Sequence, residues 1–230
     1  MAVGLVLLHL GNRSERTPEG IGALVRTTVA KLRKMPSLLF GAFDWFGDSR
    51  DEGARLFAQN VVRALAPKVN YKKDFDTPQY PEVLWLSDTD ESKALAEGAT
   101  IGAAIAEMCR LADTPANLCT PAFLCDAARE IGTARDKVSV TILEKSELEA
   151  LGMGGLLSVA QGSAVPPAMI ELRYDGASCG ESPVVLVGKG ITFDAGGISL
   201  KPAAKMGDMI YDMSGAASVL AVVQAVADLA

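Results

Sequence analysis

Two spacings of apolar residues alternate along the chain and predict strands and helices in turn. Short runs rich in β-branched residues are typical of strands, and apolar residues three or four positions apart are typical of amphipathic helices. The expected strands cover residues 4–10, 37–43, 83–86, 138–143, 168–174 and 184–187. The expected helices cover residues 17–34, 51–65, 92–111, 121–131, 146–151 and 214–230. Alternation of this kind indicates the α/β class.

The helix expected at 92–111 is long and rich in alanine, and it divides the pattern into two parts. We therefore expect an N-terminal α/β domain at 1–91, a linker helix at 92–112 and a second domain from 113 to 230. A chain of 230 residues has room for two modest domains of this size.

The stretch 184–212 is where the sequence concentrates its chemistry. A buried strand is expected at 184–187, and Lys189, Asp194, Lys201 and Asp212 follow among apolar and small residues. A buried charge is costly unless it is paired or bound to a metal. Carboxylates are good oxygen ligands for divalent metals. A lysine can join them only as a neutral amine, whereas a charged lysine can stabilise an oxyanion. Together these groups could form a hydrolase site with two metals.

Simpler interpretations exist for each of these residues. Lys189, between two glycines, could be a solvated turn residue, and Asp194 could start the turn at the following glycine pair. Asp212 could be the N-cap of the last helix, with Ser214 as a rival. A dinucleotide loop is excluded because Phe193 stands where its third glycine belongs.

Composition narrows the function classes. Lys and Arg number 22 against 28 Asp and Glu, so the net charge of −6 gives no support to a nucleic-acid surface. The only histidine, His9, is expected in the first strand, which makes histidine-dependent catalysis improbable. The four cysteines form no CxxC pair and are expected as free thiols of a reducing cytosol. The N-terminus lacks the features of a signal peptide, and no apolar run is expected to reach membrane-spanning length.

The pieces VGKGITFDAGGISLKP and MIYDMSGAASV closely resemble the metal-site segment of the leucyl aminopeptidase (cytosol aminopeptidase) family. The resemblance implies that Lys189 binds one metal, that Asp194 bridges two, and that Asp212 binds a metal. It also implies that Lys201 is catalytic and that Met209 lines the pocket for the first side chain of the substrate.

The same resemblance implies the rest of the assignment. The fold would be a small N-terminal α/β domain similar to macro domains, followed by an incomplete α/β/α sandwich. The protein would be a cytoplasmic hexamer that uses two divalent metal ions, manganese or zinc, to remove leucine-like residues from peptides. Residues 113–117, D-T-P-A-N, resemble the family's N-T-P-A-N with Asp113 in place of asparagine, and are expected to form a structural turn.

One family feature is missing from the sequence. The second acidic motif, N-T-D-A-E-G-R, does not occur, so the sequence resembles a C-terminally truncated member that is inactive alone. The alternative class is a non-catalytic binding or assembly module, although such a module has no need of all four charged residues. A DNA-binding role, which some members have, is not supported by the charge.

Overall fold

The computed structural model describes residues 16–41, 49–68, 70–71, 80–176 and 182–230. The helices are α1 Pro18–Lys31, α2 Arg50–Leu65, α3 Ser92–Ala112, α4 Pro121–Thr133, α5 Lys145–Ala150, α6 Gly154–Ala160, α7 Ala203–Met206, the 3₁₀ helix Gly207–Met213 and α8 Ser214–Leu229. The strands are β1 Ser37–Gly41, β2 Glu82–Leu86, β3 Val138–Glu144 and β4 Ala168–Tyr174. The predicted α/β class is confirmed.

The chain divides into two compact units, Met1–Ala106 and Glu107–Ala230. The division lies inside α3. The domain boundaries at 91 and 113 stay predictions.

In the first unit a parallel pair of strands packs against α1 and α2. β1 and β2 run side by side, with Ser37 opposite Glu82. Each helix has a hydroxyl cap, because the Thr17 and Ser49 side chains accept backbone N–H groups of the first turn. The core consists of apolar residues from α1, β1 and α2: Ile21, Val25, Val29, Leu38, Phe40, Phe57 and Val61. Val83 and Trp85 of β2 pack against it.

In the second unit an antiparallel pair of strands packs against α4 and α8. β3 and β4 pair along their whole length, from Val138 opposite Tyr174 to Glu144 opposite Ala168. The Thr120 hydroxyl caps α4. The core joins the end of α3, α4, β3 and α8: Leu111, Ala112, Cys119, Leu124, Ala127, Ala128, Ile131, Val138, Met213, Ala217 and Leu220.

The prediction of a buried strand at 184–187 is wrong. Among the described residues this stretch pairs with no strand, and Val184 and Val187 are 89% and 91% exposed. An apolar run is buried only where neighbouring elements supply partners on its faces and edges. The described residues place none there, because β3 pairs only with β4.

Several other expectations can be compared with the structure. No helix is expected between residues 151 and 168, and the structure has α6 there. Cys109, Cys119 and Cys125 are free, as expected. Three expectations concern residues outside the described ranges. They are the strand at 4–10 with His9, the end of the second strand at 42–43, and the free thiol of Cys179.

The stretch Ala203–Leu229 corrects one further prediction. By length and composition alone it could cross a membrane, with a mean hydropathy of 1.4, so the expectation that no run reaches this length is wrong. The indication is weak, because core helices of soluble proteins meet the same criterion. The 3₁₀ helix also occupies part of the stretch, and α8 itself has 16 residues.

Candidate metal and catalytic site

Each of the two aspartates singled out by the sequence is paired with one of the two lysines. Lys189 Nζ lies 2.7 Å from Asp212 Oδ1, and Lys201 Nζ binds Asp194 Oδ2. The hydrogen bond from Lys201, followed by that from the Gly196 N–H, lowers the pKa of Asp194 below its usual value. The charge of Lys189 acts in the same direction. The structure therefore gathers the four residues into two ion pairs.

A tight glycine turn brings Lys201 back onto Asp194. The Gly196 N–H donates to Asp194 Oδ1 at 2.8 Å, and the Lys201 N–H donates to the carbonyl of Ala195 at 3.0 Å. Gly196 has φ 92°, and a Cβ there would lie 2.4 Å from the carbonyl oxygen of Ser199. Only glycine adopts this conformation in this space without strain. The turn interpretation of Asp194 is thus confirmed, and the turn itself places Lys201.

Lys189 meets Asp212 because two glycines let two backbones approach closely. A Cβ on Gly188 would lie 2.3 Å from the carbonyl oxygen of Gly215. Next to this contact, the Ala216 N–H donates to the Lys189 carbonyl at 2.8 Å. The segment around Lys189 therefore lies against the first turn of α8, directly after Asp212.

The two capping interpretations are wrong. The N-cap residue of α8 is Met213, and no side chain caps the helix. A continuous turn of 3₁₀ helix precedes α8, so its first N–H groups have backbone partners nearby and no cap is needed. The Asp212 carboxylate is consequently available to Lys189.

Asp212 also carries an oxygen without a partner. Its Oδ2 is buried and has no hydrogen bond, although the side chain as a whole is 18% exposed. Leaving a buried carboxylate oxygen unpaired is costly, and a divalent cation would satisfy it. The Asp212 and Asp194 carboxylates are of the donor type that fits such a cation. In the described part of the chain, no group of three or more His, Cys, Asp or Glu residues could hold a metal ion.

Two further residues lie in the same segment. Met209, the expected pocket residue, is half-buried in the 3₁₀ helix. Tyr211, beside Asp212, donates its hydroxyl to Asp113 Oδ1 at 3.2 Å. Sequence reasoning treated Asp113 only as part of a turn. The one signal was that an aspartate stands where the family motif has asparagine.

Known proteins are similar to this chain in sequence. Residues 107–230 match the catalytic domain of the cytosol aminopeptidase family. A probable cytosol aminopeptidase of Cupriavidus taiwanensis is 49% identical over an alignment 255 residues long, gaps included. The alignment covers 99% of this chain and 49% of that protein. Another, from Cupriavidus metallidurans, is 53% identical over 187 residues, which cover 78% of this chain and 36% of that protein.

A solved structure shares the fold. The bottromycin maturation enzyme BotP in complex with Mn superposes with a TM-score of 0.75 at 32% identity, covering 94% of this chain and 46% of that one. The fold and the family match define residues 107–230 as a catalytic domain of the cytosol aminopeptidase type. The chain belongs to the cytosol aminopeptidase family. It spans between about a third and a half of the length of these curated relatives.

Proposed function

We propose that this chain carries part of the active site of a two-metal aminopeptidase. Asp194, Asp212 and Lys189 would hold metal, with Asp194 bridging the two ions. Lys201 would act on the reacting carbonyl, and Met209 would line the pocket for the substrate's first side chain. The observation that carries the proposal is the unpartnered, buried Oδ2 of Asp212, whose other carboxylate oxygen is paired with Lys189.

The chemistry of the site follows from its charges. Bound divalent ions would supply Lewis acidity and a water that is readily deprotonated. Lys201, fixed by the Gly196 turn, would donate a hydrogen bond to the oxygen that becomes negative as the peptide carbonyl is attacked. To do so it must exchange its contact with Asp194 for the substrate oxygen, which frees that carboxylate as a ligand. Met209 would give an apolar contact to a leucine-like side chain.

We infer that the 230 residues alone do not turn over peptides. Two metal ions about 3.5–4 Å apart bring four positive charges together and need several carboxylates. The proposed site offers only Asp194 and Asp212. One ion could bind with the help of Lys189, whereas a second ion requires further acidic ligands.

The remaining assignments rest on relatives. Manganese and zinc both suit these ligands, and the BotP complex with Mn supports Mn²⁺ as the first probe. The curated relatives are named cytosol aminopeptidases, which supports peptides as substrates and the cytoplasm as the location. A hexamer is proposed for the complete protein, and neither nucleic acid nor membrane is proposed as a partner.

The experiment compares this chain with a longer chain that includes the second acidic motif. Mn²⁺ binding is measured by calorimetry, and hydrolysis of leucine p-nitroanilide is followed in excess Mn²⁺. The longer chain is expected to turn over. Lys201→Ala is expected to lower its kcat by roughly a hundredfold or more while Mn²⁺ stoichiometry is unchanged.

Lys205→Ala is the matched control, because Lys205 is exposed on α7 four residues away. It is expected to keep full activity. Loss of metal in Lys201→Ala would place that lysine among the ligands instead. Full turnover by the 230-residue chain would show that the ligand count is wrong.

A further inference from the structure

The hydrogen bond between Tyr211 and Asp113 joins the residue before a proposed metal ligand to the end of α3. The Tyr211 hydroxyl donates to Asp113 Oδ1 at 3.2 Å across 98 positions of sequence. The negative charge of Asp113, and then the hydrogen bond itself, raise the pKa of the Tyr211 phenol. The phenol is the donor of this bond and the carboxylate oxygen is the acceptor.

Asp113 is fixed by its own backbone. Its N–H donates to the carbonyl of Cys109 at 2.8 Å. The following residue, Thr114, donates its N–H to the Leu111 carbonyl and its hydroxyl to the Arg110 carbonyl. A residue held in this way has little freedom to move. The backbone at Asp113 is consequently held in place, and its exposed side chain is open to a partner from elsewhere in the chain.

Tyr211 is tied to the metal-site segment in the same manner. Its carbonyl accepts the Ser214 N–H within the 3₁₀ helix. Two positions after Tyr211, Met213 is fully buried in the same core cluster as Leu111, which lies two positions before Asp113. The exposed hydrogen bond thus joins two segments that each place a residue in this core cluster, and Asp212 lies between Tyr211 and Met213.

We propose that the hydrogen bond between Asp113 and Tyr211 positions the Asp212 carboxylate, so that Asp113 and Tyr211 are positioning residues of the metal site. The inference rests on the proposed metal-binding role of Asp212. Ligand carboxylates work best when neighbouring hydrogen bonds fix their direction. Here the bond fixes the backbone on one side of Asp212, and burial of Met213 fixes it on the other.

The test measures Mn²⁺ affinity in the full 230-residue chain and in the longer chain. Asp113→Ala and Tyr211→Phe are each expected to weaken Mn²⁺ binding roughly three- to tenfold, the range expected for one hydrogen bond. The double variant is expected to be no weaker than the worse single variant, because both remove the same bond. Asp113→Asn keeps an acceptor oxygen and is expected to restore most of the affinity. Asp136→Ala, an exposed aspartate of the same unit, is the matched control.

A second measurement needs no metal. Hydrogen exchange at the amides of Ser214 and Ala216, which bond to Tyr211 and Lys189, is expected to accelerate in Asp113→Ala while the amides of β3 are unchanged. Equal acceleration in β3 would indicate a general loss of stability and would overturn the inference. Additive effects in the double variant, or unchanged exchange at Ser214 and Ala216, would overturn it as well.

The outcomes separate the inference from the proposed function. If the wild-type chain takes up no Mn²⁺ in either length, the proposed metal site is wrong. The positioning of Asp212 is then tested only by the amide hydrogen exchange of Ser214 and Ala216. If wild type binds Mn²⁺ and Asp113→Ala binds it equally well, the metal site stands and the inference fails.

Discussion

Arg135 and Asp228 form a bidentate ion pair that joins the turn before β3 to the last turn of α8. The Nε and one terminal nitrogen of Arg135 lie 2.7 and 2.6 Å from the two oxygens of Asp228. Arg135 is largely buried, with its side chain 17% exposed, and it also donates to the carbonyl of Ile131. Paired hydrogen bonds of this geometry are stronger than single surface contacts. The pair therefore fixes the far end of the helix that begins after Asp212.

The first prediction concerns this ion pair. Arg135→Ala is expected to lower the free energy of unfolding by about 1–2 kcal/mol, since it removes two charge-assisted hydrogen bonds. Urea unfolding measures the change, and a cycle with Asp228→Ala isolates the pair. Arg129→Ala is the control: its partner Asp126 is exposed and one helical turn away, so the expected effect is below about 0.5 kcal/mol. Equal effects of the two changes would contradict the prediction.

The second prediction concerns pH and Glu91. This buried residue accepts hydrogen bonds from the Thr89 and Ser87 hydroxyls and from the Trp85 indole at 3.1 Å, and the Thr89 bond contributes most to lowering its pKa. A carboxylate with a lowered pKa stabilises the fold above its usual pKa. That stability is lost as the pH falls through the lowered value.

The measurement follows the free energy of unfolding and the Trp85 indole N–H signal from pH 7 to pH 3. Wild type is expected to lose stability in the acid range together with a shift of the Trp85 signal. Glu91→Gln is expected to lose less stability over the same range, because its side chain does not titrate. Trp85→Phe assigns the signal. The same acid dependence in wild type and Glu91→Gln would refute the role of this carboxylate.

The third prediction concerns Asp194. Asp194→Ala is expected to weaken Mn²⁺ binding at least roughly tenfold, because it removes the proposed bridging carboxylate. Asp208→Ala, an exposed aspartate of the same segment, is expected to leave the affinity within about twofold. Calorimetry on both chain lengths checks this. Unchanged stoichiometry and affinity in Asp194→Ala would remove Asp194 from the site.

The fourth prediction concerns Gly188. Gly188→Ala is expected to cost about 1–3 kcal/mol and to separate Lys189 from Asp212, because its Cβ would lie 2.3 Å from a backbone oxygen. Gly207→Ala is the matched control, since Gly207 is helical and nothing lies within 4 Å of its would-be Cβ. It is expected to be neutral or slightly stabilising. Thermal unfolding compares the two, and equal melting temperatures would contradict the clash.

Local patterns predicted local structure well. β4 has the limits that its apolar alternation indicates, and α4 begins at Pro121, where the helix is expected to begin. These features depend on neighbours in sequence. The four charged residues of the candidate site could likewise be selected because they share one short stretch.

Features that depend on distant residues could not be predicted. The run at 184–187 reads as buried, yet burial depends on strands located elsewhere in the chain. Asp113, the partner of Tyr211, lies 98 positions away. The local sequence around either residue gives no indication of the other. Asp212 is a plausible cap by type, but the 3₁₀ helix before α8 makes a cap unnecessary.

The contact of Gly188 with Gly215 also affects how this family can recombine. Because backbone meets backbone there, the contact requires only that both side chains be absent. It contains no pair of complementary side chains that must be inherited together. A crossover between 190 and 214 that joins segments of two relatives would thus preserve this junction, provided that each parent has glycine at its own position.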